Sequence, residues 1–442
     1  MTPIQEACIP LLLAGFDVIG QSTTGSGKTA AYLIPILEKI ALNDLRPQVL
    51  ILSPTRELCT QIQDQIQKFS VSLQQVRTAC LVGGQPVDSQ IKILNLGVHV
   101  VVGTPGRTNE LLKNEMLRSE GLKILILDEA DRLLSAEFAG EMKTIWDSVP
   151  KSRQTAFFSA TFPESIRASS HLYQNSDVKI VRPDLVQNET TSEQSFYSVE
   201  QPQKMELLLR VLRHHPSLHT LIFCRTKATV DEIGSLLKNE KASGQTLHAD
   251  RKQVDRDRAL NLFRHGSLQI LVATDVAARG LDIETLELVI NFDLPSNPDL
   301  YLHRVGRTAR AGRPGVAISF VTNFERPLLH QIESSLGNSI VEKQLPAGDG
   351  FQEPANLRKT AARTIEIGRG RFNKLRVPEI QGALNSGPQP VPSKAVVKIE
   401  IFELTTFVSV APEYAEQALQ KLRAKKFKGL ALKMILLTNS FS

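Results

Sequence analysis

Two successive series of short aliphatic runs, spaced by helix-length segments, constrain this chain more than any other feature. The first series is VLILS at 49–53, VVVGTP at 100–105, ILILDE at 124–129 and AFFSAT at 156–161. The second is LIFCRT at 221–226, QTLHAD at 245–250, ILVATD at 270–275, LVINFD at 288–293 and AISFVT at 317–322. Continuously apolar strands that alternate with helices belong to a parallel sheet buried on both faces. The expected fold class is α/β, with one parallel-sheet architecture built twice. The polar stretch from Arg182 to Gln194 carries no apolar periodicity and reads as the linker. A third unit has strand-like runs at 364–368, 396–402 and 405–410, an amphipathic helix in EYAEQALQKLRAKKF, a last strand in ALKMILL, and a proline-containing loop at 386–394. That pattern predicts a small α+β domain. The expected domains are 1–185, 195–340 and 361–440.

Charge separates the third unit from the rest. The chain carries a net +6, but from Pro354 onward there are 15 Lys and Arg against 6 Asp and Glu. The preceding 353 residues are therefore slightly acidic, at −3. A basic tail on a near-neutral body points to a polyanion, nucleic acid first; a merely solvated surface would account for the charge equally well. The apolar residues 9–14 follow no basic segment and contain Pro10, and no apolar run approaches about 18 residues, so neither signal peptide nor membrane span is expected. Cys8, Cys59, Cys80 and Cys224 are scattered without a CxxC pair, which suits a reducing cytoplasm. His215 and His219 have a metal-like spacing, but Pro216 lies between them, and a loop without zinc is the reading.

Three motifs carry chemistry. TTGSGKT, Thr23 to Thr29, follows the strand-like DVIGQ and precedes the helical TAAYLIPILEKI. Backbone N–H groups around Gly25, Ser26 and Gly27 at a helix N-terminus suit phosphates, with Lys28 for the outer phosphates and the Thr29 hydroxyl for Mg²⁺. DEAD, Asp128 to Asp131, ends an apolar run. Asp128 there is placed to hold Mg²⁺ with Thr29, and Glu129 to orient or deprotonate a water. An acidic helix start would also be stabilised by the helix dipole without any metal. Asp131 reads as a polar contact between domains. In HRVGRTAR, Arg304, Arg307 and Arg310 recur every three residues, a spacing that suits fingers on a γ-phosphate or, equally, contacts to a nucleic-acid backbone. Together the motifs form a kit for hydrolysing ATP.

In these motifs and their order the chain resembles the DEAD-box RNA helicases of superfamily two, over nearly all of residues 1–335. TPIQ at 2–5 is similar to the end of the adenine-reading Q motif. PTREL at 54–58, Gly83 and Gly84, TPGR at 104–107, SAT at 159–161, LIFCRTK at 221–227, QVDR at 253–256 and ATDVAARGLDI at 273–283 follow the family order. The resemblance implies two RecA-like domains. It implies ATP bound by Gln5, Gly25, Ser26, Gly27, Lys28 and Thr29 and completed from the second domain by Asp282, Arg307 and Arg310. It implies RNA contacts from Pro54, Thr55, Arg56, Gly84, Thr104, Gly106, Arg107, Arg256 and Thr274, mostly to phosphates and sugars, which position a strand without reading it. Ser159 and Thr161 would couple hydrolysis to strand separation. The family places an adenine-stacking aromatic upstream of the Q motif, and the expectation is an N-terminus that begins short of it. Ser22, Ala249 and Ala309 are small substitutions within the motifs.

From Arg363 to Leu437 the tail resembles the RNA-binding domain of DbpA-like helicases, a divergent RNA-recognition-motif fold. That implies targeting to structured large-subunit ribosomal RNA, with pre-ribosomal particles as the setting. Phe407 is the one obvious stacking candidate on the sheet and is equally well a core residue. Lys425, Lys426 and Lys428, with Arg369, Arg371, Lys374 and Arg376, are the expected phosphate contacts. The expected activity is ATP-dependent local unwinding of short RNA duplexes. An ATP-gated RNA clamp or assembly scaffold would use the same motifs; a DNA translocase fits the DEAD and SAT sequences less well.

Overall fold

The computed structural model describes residues 1–22, 25–71, 76–162, 164–183, 192–215, 219–278, 286–308, 315–344, 360–370, 373–387, 389–402, 405–425, 427 and 432–437. These residues form two compact units, one running up to residue 183 and the other starting at 192.

The first unit is built on strands β1 Val18–Gln21, β2 Val49–Leu52, β3 Thr78–Leu81, β4 Val100–Gly103, β5 Ile124–Asp128, β6 Gln154–Ser159 and β7 Lys179–Val181. They lie in the order β3-β4-β2-β5-β6-β1-β7, every neighbouring pair parallel. Successive strand residues face opposite sides, so each run feeds two cores. Val49, Ile51, Val100, Val102, Ile126 and Phe158 pack with Tyr32, Ile36, Ile62 and Ile66 of the helices Lys28–Lys39 and Arg56–Phe69. Leu50, Leu52, Val101, Leu125, Leu127 and Phe157 pack on the other side with Leu111, Met142 and Trp146. Burial on both faces is the reason these strands show no alternation in sequence.

The second unit repeats the design with β8 Ser192–Ser198, β9 Thr220–Cys224, β10 Gly244–Leu247, β11 Ile270–Thr274, β12 Leu288–Asn291, β13 Gly315–Val321 and β14 Val341–Glu342. Their order, β10-β11-β9-β12-β13-β8-β14, is the same permutation, again parallel throughout. Strand β8 begins at Ser192, three residues inside the stretch read as linker. Its polar sequence is held extended by a seven-residue register with β13.

The tail belongs to this second unit and forms an antiparallel sheet of β15 Arg363–Ile367, β16 Val396–Ile401, β17 Thr406–Val410 and β18 Met434–Leu436, in the order β16-β17-β15-β18. Helices Val377–Asn385 and Ala415–Ala424 cover one face, packing Ile380, Ala383, Leu384, Ala418 and Leu422 on Ile365, Ile367, Val408 and Val410. The overall architecture is two RecA-like parallel-sheet domains followed by a small α+β domain. Among the described residues no helix is long and apolar enough to cross a membrane, and all four cysteines are free thiols.

Candidate nucleotide and RNA sites

The carboxyl edge of the first sheet is divided between two sets of residues. Strands β5, β6 and β1 are adjacent, so the DEAD, SAT and glycine-rich segments that follow them leave the sheet side by side, where open α/β sheets bind ligands. Register places Gln21 opposite Ser159 and Asp128 opposite Phe158. The Ser22 N–H donates to the Ser159 carbonyl at 3.1 Å.

The phosphate loop needs its glycines. Gly25 and Gly27 have φ of +81° and +93°, the left-handed region in which a side chain is strained. A Cβ on Gly27 would also fall 2.3 Å from Gln5 Nε2. The Gln5 amide donates to the Gly27 carbonyl at 3.2 Å and accepts from the Thr2 N–H at 3.0 Å. Gln5 therefore ties the first helix, Pro3–Leu13, to the loop and retains an N–H for a base edge. Lys28 Nζ donates to the Ser22 carbonyl. Ser26 Oγ is buried without a hydrogen-bond partner among the described residues, an orphan that fits a phosphate oxygen.

Asp128 is buried at 7% exposure. It accepts from the Tyr32 hydroxyl and from the Glu129 N–H, each at 3.0 Å. Burial, reinforced by the neighbouring Glu129 charge, pushes its carboxyl up to about 6 against the attraction of Lys28. Tyr32, one turn after Thr29 on the same helix, thus holds the buried carboxylate proposed for Mg²⁺, which with the Thr29 hydroxyl makes a hard-oxygen set suited to that ion. Sequence reasoning missed Tyr32, although it lies three residues after Thr29 on a helix otherwise lined by apolar groups. Glu129 has φ +53°, unusual for a long side chain, and opens the short helix Ala130–Leu133. The Thr161 hydroxyl donates to Asp131 at 2.6 Å, and the Thr161 N–H donates to Ser159 Oγ at 3.3 Å. The end of the DEAD segment is thereby bonded directly to the SAT segment.

Strands β3, β4 and β2 carry the residues assigned to RNA. The Ser53 N–H donates to the Gly103 carbonyl and the Thr104 N–H to the Leu81 carbonyl, tying the three strand ends together. The Arg56 guanidinium lies over the Gly83–Gly84 turn so closely that a Cβ on Gly84 would sit 2.1 Å from it. Thr55 caps its helix by accepting from the Leu58 N–H at 3.3 Å and, like Pro54, is buried. Gly84 and Gly106 are exposed. Arg107 donates to the Gln85 carbonyl at 3.4 Å and pairs with Glu110 at 2.9 Å.

In the second unit Thr274 ends β11 and is half-buried, as is Arg256 on the helix Gln253–Arg264. The arginines of HRVGRTAR divide. Arg304 is 2% exposed. It meets both Asp275 oxygens at 2.6 and 2.8 Å, Asn291 at 3.0 Å and the Asp293 carbonyl at 2.7 Å, with its guanidinium 5.0 Å from the Phe223 ring centroid. Four of its five N–H groups are accounted for, so it clamps β11 and β12 and is not a finger. Arg307 is also buried. Lys425 of the tail is exposed. Asp282, Arg310, Arg371, Lys426 and Lys428 lie outside the described residues.

Comparison with known proteins agrees over the whole length. Residues 2–169 match the DEAD/DEAH box helicase family, 203–312 the helicase conserved C-terminal domain and 364–435 the DbpA RNA binding domain. The ATP-dependent RNA helicase DbpA of Escherichia coli is 37% identical over 437 residues, covering 99% of this chain and 94% of DbpA. The chain belongs to the DEAD-box ATP-dependent RNA helicases. Within that family it is also 40% identical to DeaD of Buchnera aphidicola subsp. Baizongia pistaciae, over 87% of this chain but only 64% of that longer protein. Among solved structures, S. cerevisiae Dbp5 bound to RNA and ADP BeF3 is 30% identical with a TM-score of 0.71, covering 77% of this chain and 89% of that one. Mss116p bound to ssRNA and AMP-PNP is 28% identical with a TM-score of 0.70, covering 78% and 75%. The tail places the chain with the DbpA type.

Proposed function

We propose that this chain hydrolyses ATP to separate short RNA duplexes locally, and that its basic tail directs it to structured RNA, large-subunit ribosomal RNA during assembly in the cytoplasm. The observation that carries the reading is the Thr161–Asp131 hydrogen bond of 2.6 Å, which links the segment assigned to hydrolysis to the segment assigned to coupling. Dbp5 and Mss116p, solved with RNA and nucleotide, support RNA and ATP as the ligands.

In this reading Gln5 selects the base, while Gly25, Ser26, Gly27 and Lys28 cradle the phosphates at a helix N-terminus. Thr29 and Asp128 would hold Mg²⁺, which neutralises phosphate charge when bound. Glu129 orients the attacking water and takes its proton. Asp282, Arg307 and Arg310 supply the remaining polar contacts from the second domain, the arginines stabilising charge on the γ-phosphate. Arg56, Gly84, Thr104, Gly106, Arg107, Arg256 and Thr274, with the backbone at Pro54 and Thr55, hold the RNA strand, and Lys425, Lys426 and Lys428 hold tail-bound RNA. The domain limits 1–185, 195–340 and 361–440 divide the work accordingly. Glu129→Gln should leave ATP affinity within about twofold and lower turnover by about a hundredfold or more, the scale of general-base loss. An unchanged turnover removes Glu129 from the chemistry.

A further inference from the structure

Tyr32 is a polar group in a place made for an apolar one. It stands on the helix Lys28–Lys39, four residues after Lys28, so the two share a helix face. Its neighbours Ala31, Leu33, Ile36 and Leu37 are buried, and Tyr32 itself is 0% exposed. Phenylalanine would fill that space without burying a hydroxyl, which costs free energy unless the hydroxyl is bonded. The hydroxyl donates to Asp128 Oδ2 at 3.0 Å, across 96 positions of sequence. That bond is what distinguishes tyrosine from phenylalanine here.

The donor is held as firmly as the acceptor. Register places Asp128 of β5 opposite Phe158 of β6, and Phe158 opposite Gly20 of β1, a row of three across the sheet. The Tyr32 ring packs on Phe158 with centroids 5.2 Å apart and planes inclined at 53°. Phe158 in turn lies so close over Gly20 that a Cβ there would stand 2.7 Å from its ring. The phenol is thus wedged by a second ring, which is itself seated on a glycine, in an interior packed too densely for either ring to shift freely. The other carboxylate oxygen, Oδ1, accepts from the Glu129 N–H at 3.0 Å. Each oxygen of Asp128 therefore has a fixed donor, one from the helix that follows the phosphate loop and one from the backbone beyond β5. A carboxylate gripped at both oxygens keeps a single orientation.

Resting on the reading of Asp128 as a Mg²⁺ ligand given above, we infer that Tyr32 is a positioning residue that sets the divalent-cation affinity and selectivity of the nucleotide site. Mg²⁺ demands near-ideal octahedral geometry, whereas Ca²⁺ accepts carboxylates in flexible arrangements through one oxygen or both. A carboxylate fixed by Tyr32 and by the Glu129 N–H favours the smaller ion. Without the phenol, Asp128 turns more freely, and the site loses Mg²⁺ more than Ca²⁺. Because Tyr32 belongs to the helix that begins with Lys28 and Thr29, its bond also keeps the carboxylate at a constant distance from the phosphate loop. Tyr32 acts through Asp128 and is not itself a ligand.

Tyr32→Phe in the full chain keeps the ring and deletes only the hydroxyl. Retention of a fluorescent ADP derivative is followed while Mg²⁺ or Ca²⁺ is titrated, and ATP turnover while Mg²⁺ is titrated. The unsubstituted chain, Tyr32→Phe and Asp128→Asn are compared. For Tyr32→Phe the Mg²⁺ requirement should rise about tenfold, the lower end of what an outer-shell partner contributes to metal affinity. The Ca²⁺ requirement should change less than about threefold. Turnover at saturating Mg²⁺ should return to within about threefold of the unsubstituted chain. Loss of folded protein lowers the binding amplitude with both ions and moves neither midpoint, so unaltered midpoints overturn the inference whatever the stability of the variant. Equal shifts for the two ions overturn it as well, because a general weakening of the site has no preference between them. Failure of the underlying reading has a different signature: Asp128→Asn would itself leave the Mg²⁺ requirement unchanged.

Discussion

Arg304→Leu separates a structural role from a chemical one within a motif whose arginines look alike in sequence. Arg304 is held in the second domain by both oxygens of Asp275, by Asn291 and by the Asp293 carbonyl, at 2% exposure. Leucine removes those hydrogen bonds and leaves the Asp275 carboxylate without its main cation. Breaking a buried ion pair from one side costs about 3–5 kcal/mol. For a domain of this size each kcal/mol lowers the unfolding midpoint by roughly 2–4 °C, so a fall of about 10 °C is expected. Differential scanning calorimetry on the full chain would show one transition moving, and amide exchange would assign it to β11 and β12. Adding Asp275→Leu should restore part of the loss, because neither charge is then left unpaired. A stability change under about 1 kcal/mol together with lost ATP turnover would refute the reasoning and return Arg304 to the nucleotide.

Other consequences are equally specific. Thr161→Ala removes a hydroxyl bonded to a carboxylate, worth about 1.5–3 kcal/mol; strand displacement should fall at least tenfold while RNA-stimulated ATPase stays within about threefold, and a parallel fall in both would place Thr161 in the hydrolysis step. His265 of the second domain bonds Glu400 of the tail at 2.9 Å, so acid should loosen that contact. Burial, only partly offset by Glu400, holds His265 below its ordinary value of 6.5. Burial would raise Glu400, but His265, Lys398 and Arg264 outweigh it and hold it at about 2, against an ordinary 4.5. Both groups favour the bonded state at neutral pH. That stabilisation falls as pH drops below 6.5, where a released imidazole takes a proton, and falls further from 4.5 toward 2 as a released carboxylate does. Exchange of the Arg264–Ser267 amides, corrected for intrinsic rate, should quicken between pH 7.5 and 5.5; no change would contradict the assignment.

Most of the sheet architecture was legible because a strand buried on both faces must be apolar throughout, as in VLIL, VVVG and ILILD. What escaped depended on partners. Ser192–Ser198 is polar and extended only because β13 lies along it. Thr78–Leu81 is an edge strand whose residues alternate between half-buried and buried, so it lacks the continuous apolar run of the central strands. The segments proposed to bind nucleotide and strand are local strings with fixed spacing, which is why the sequence alone singles them out. Tyr32, Asp275 and His265 are not singled out, since each acts through a residue distant in sequence. Phe407 stood open between core and stacking; it is buried, and its edge-on neighbour, His265 of the second domain, is 142 positions away by residue number.

The central claim is most directly tested by Mg²⁺-dependent strand displacement from a short RNA duplex, alone and joined to a large-subunit ribosomal RNA fragment, read beside ATP turnover. The account predicts ATP-dependent release, faster for the joined duplex, with Glu129→Gln binding ATP and RNA but releasing nothing on multiple turnovers. Tight ATP-dependent retention of RNA with no strand release would contradict it and leave an ATP-gated clamp.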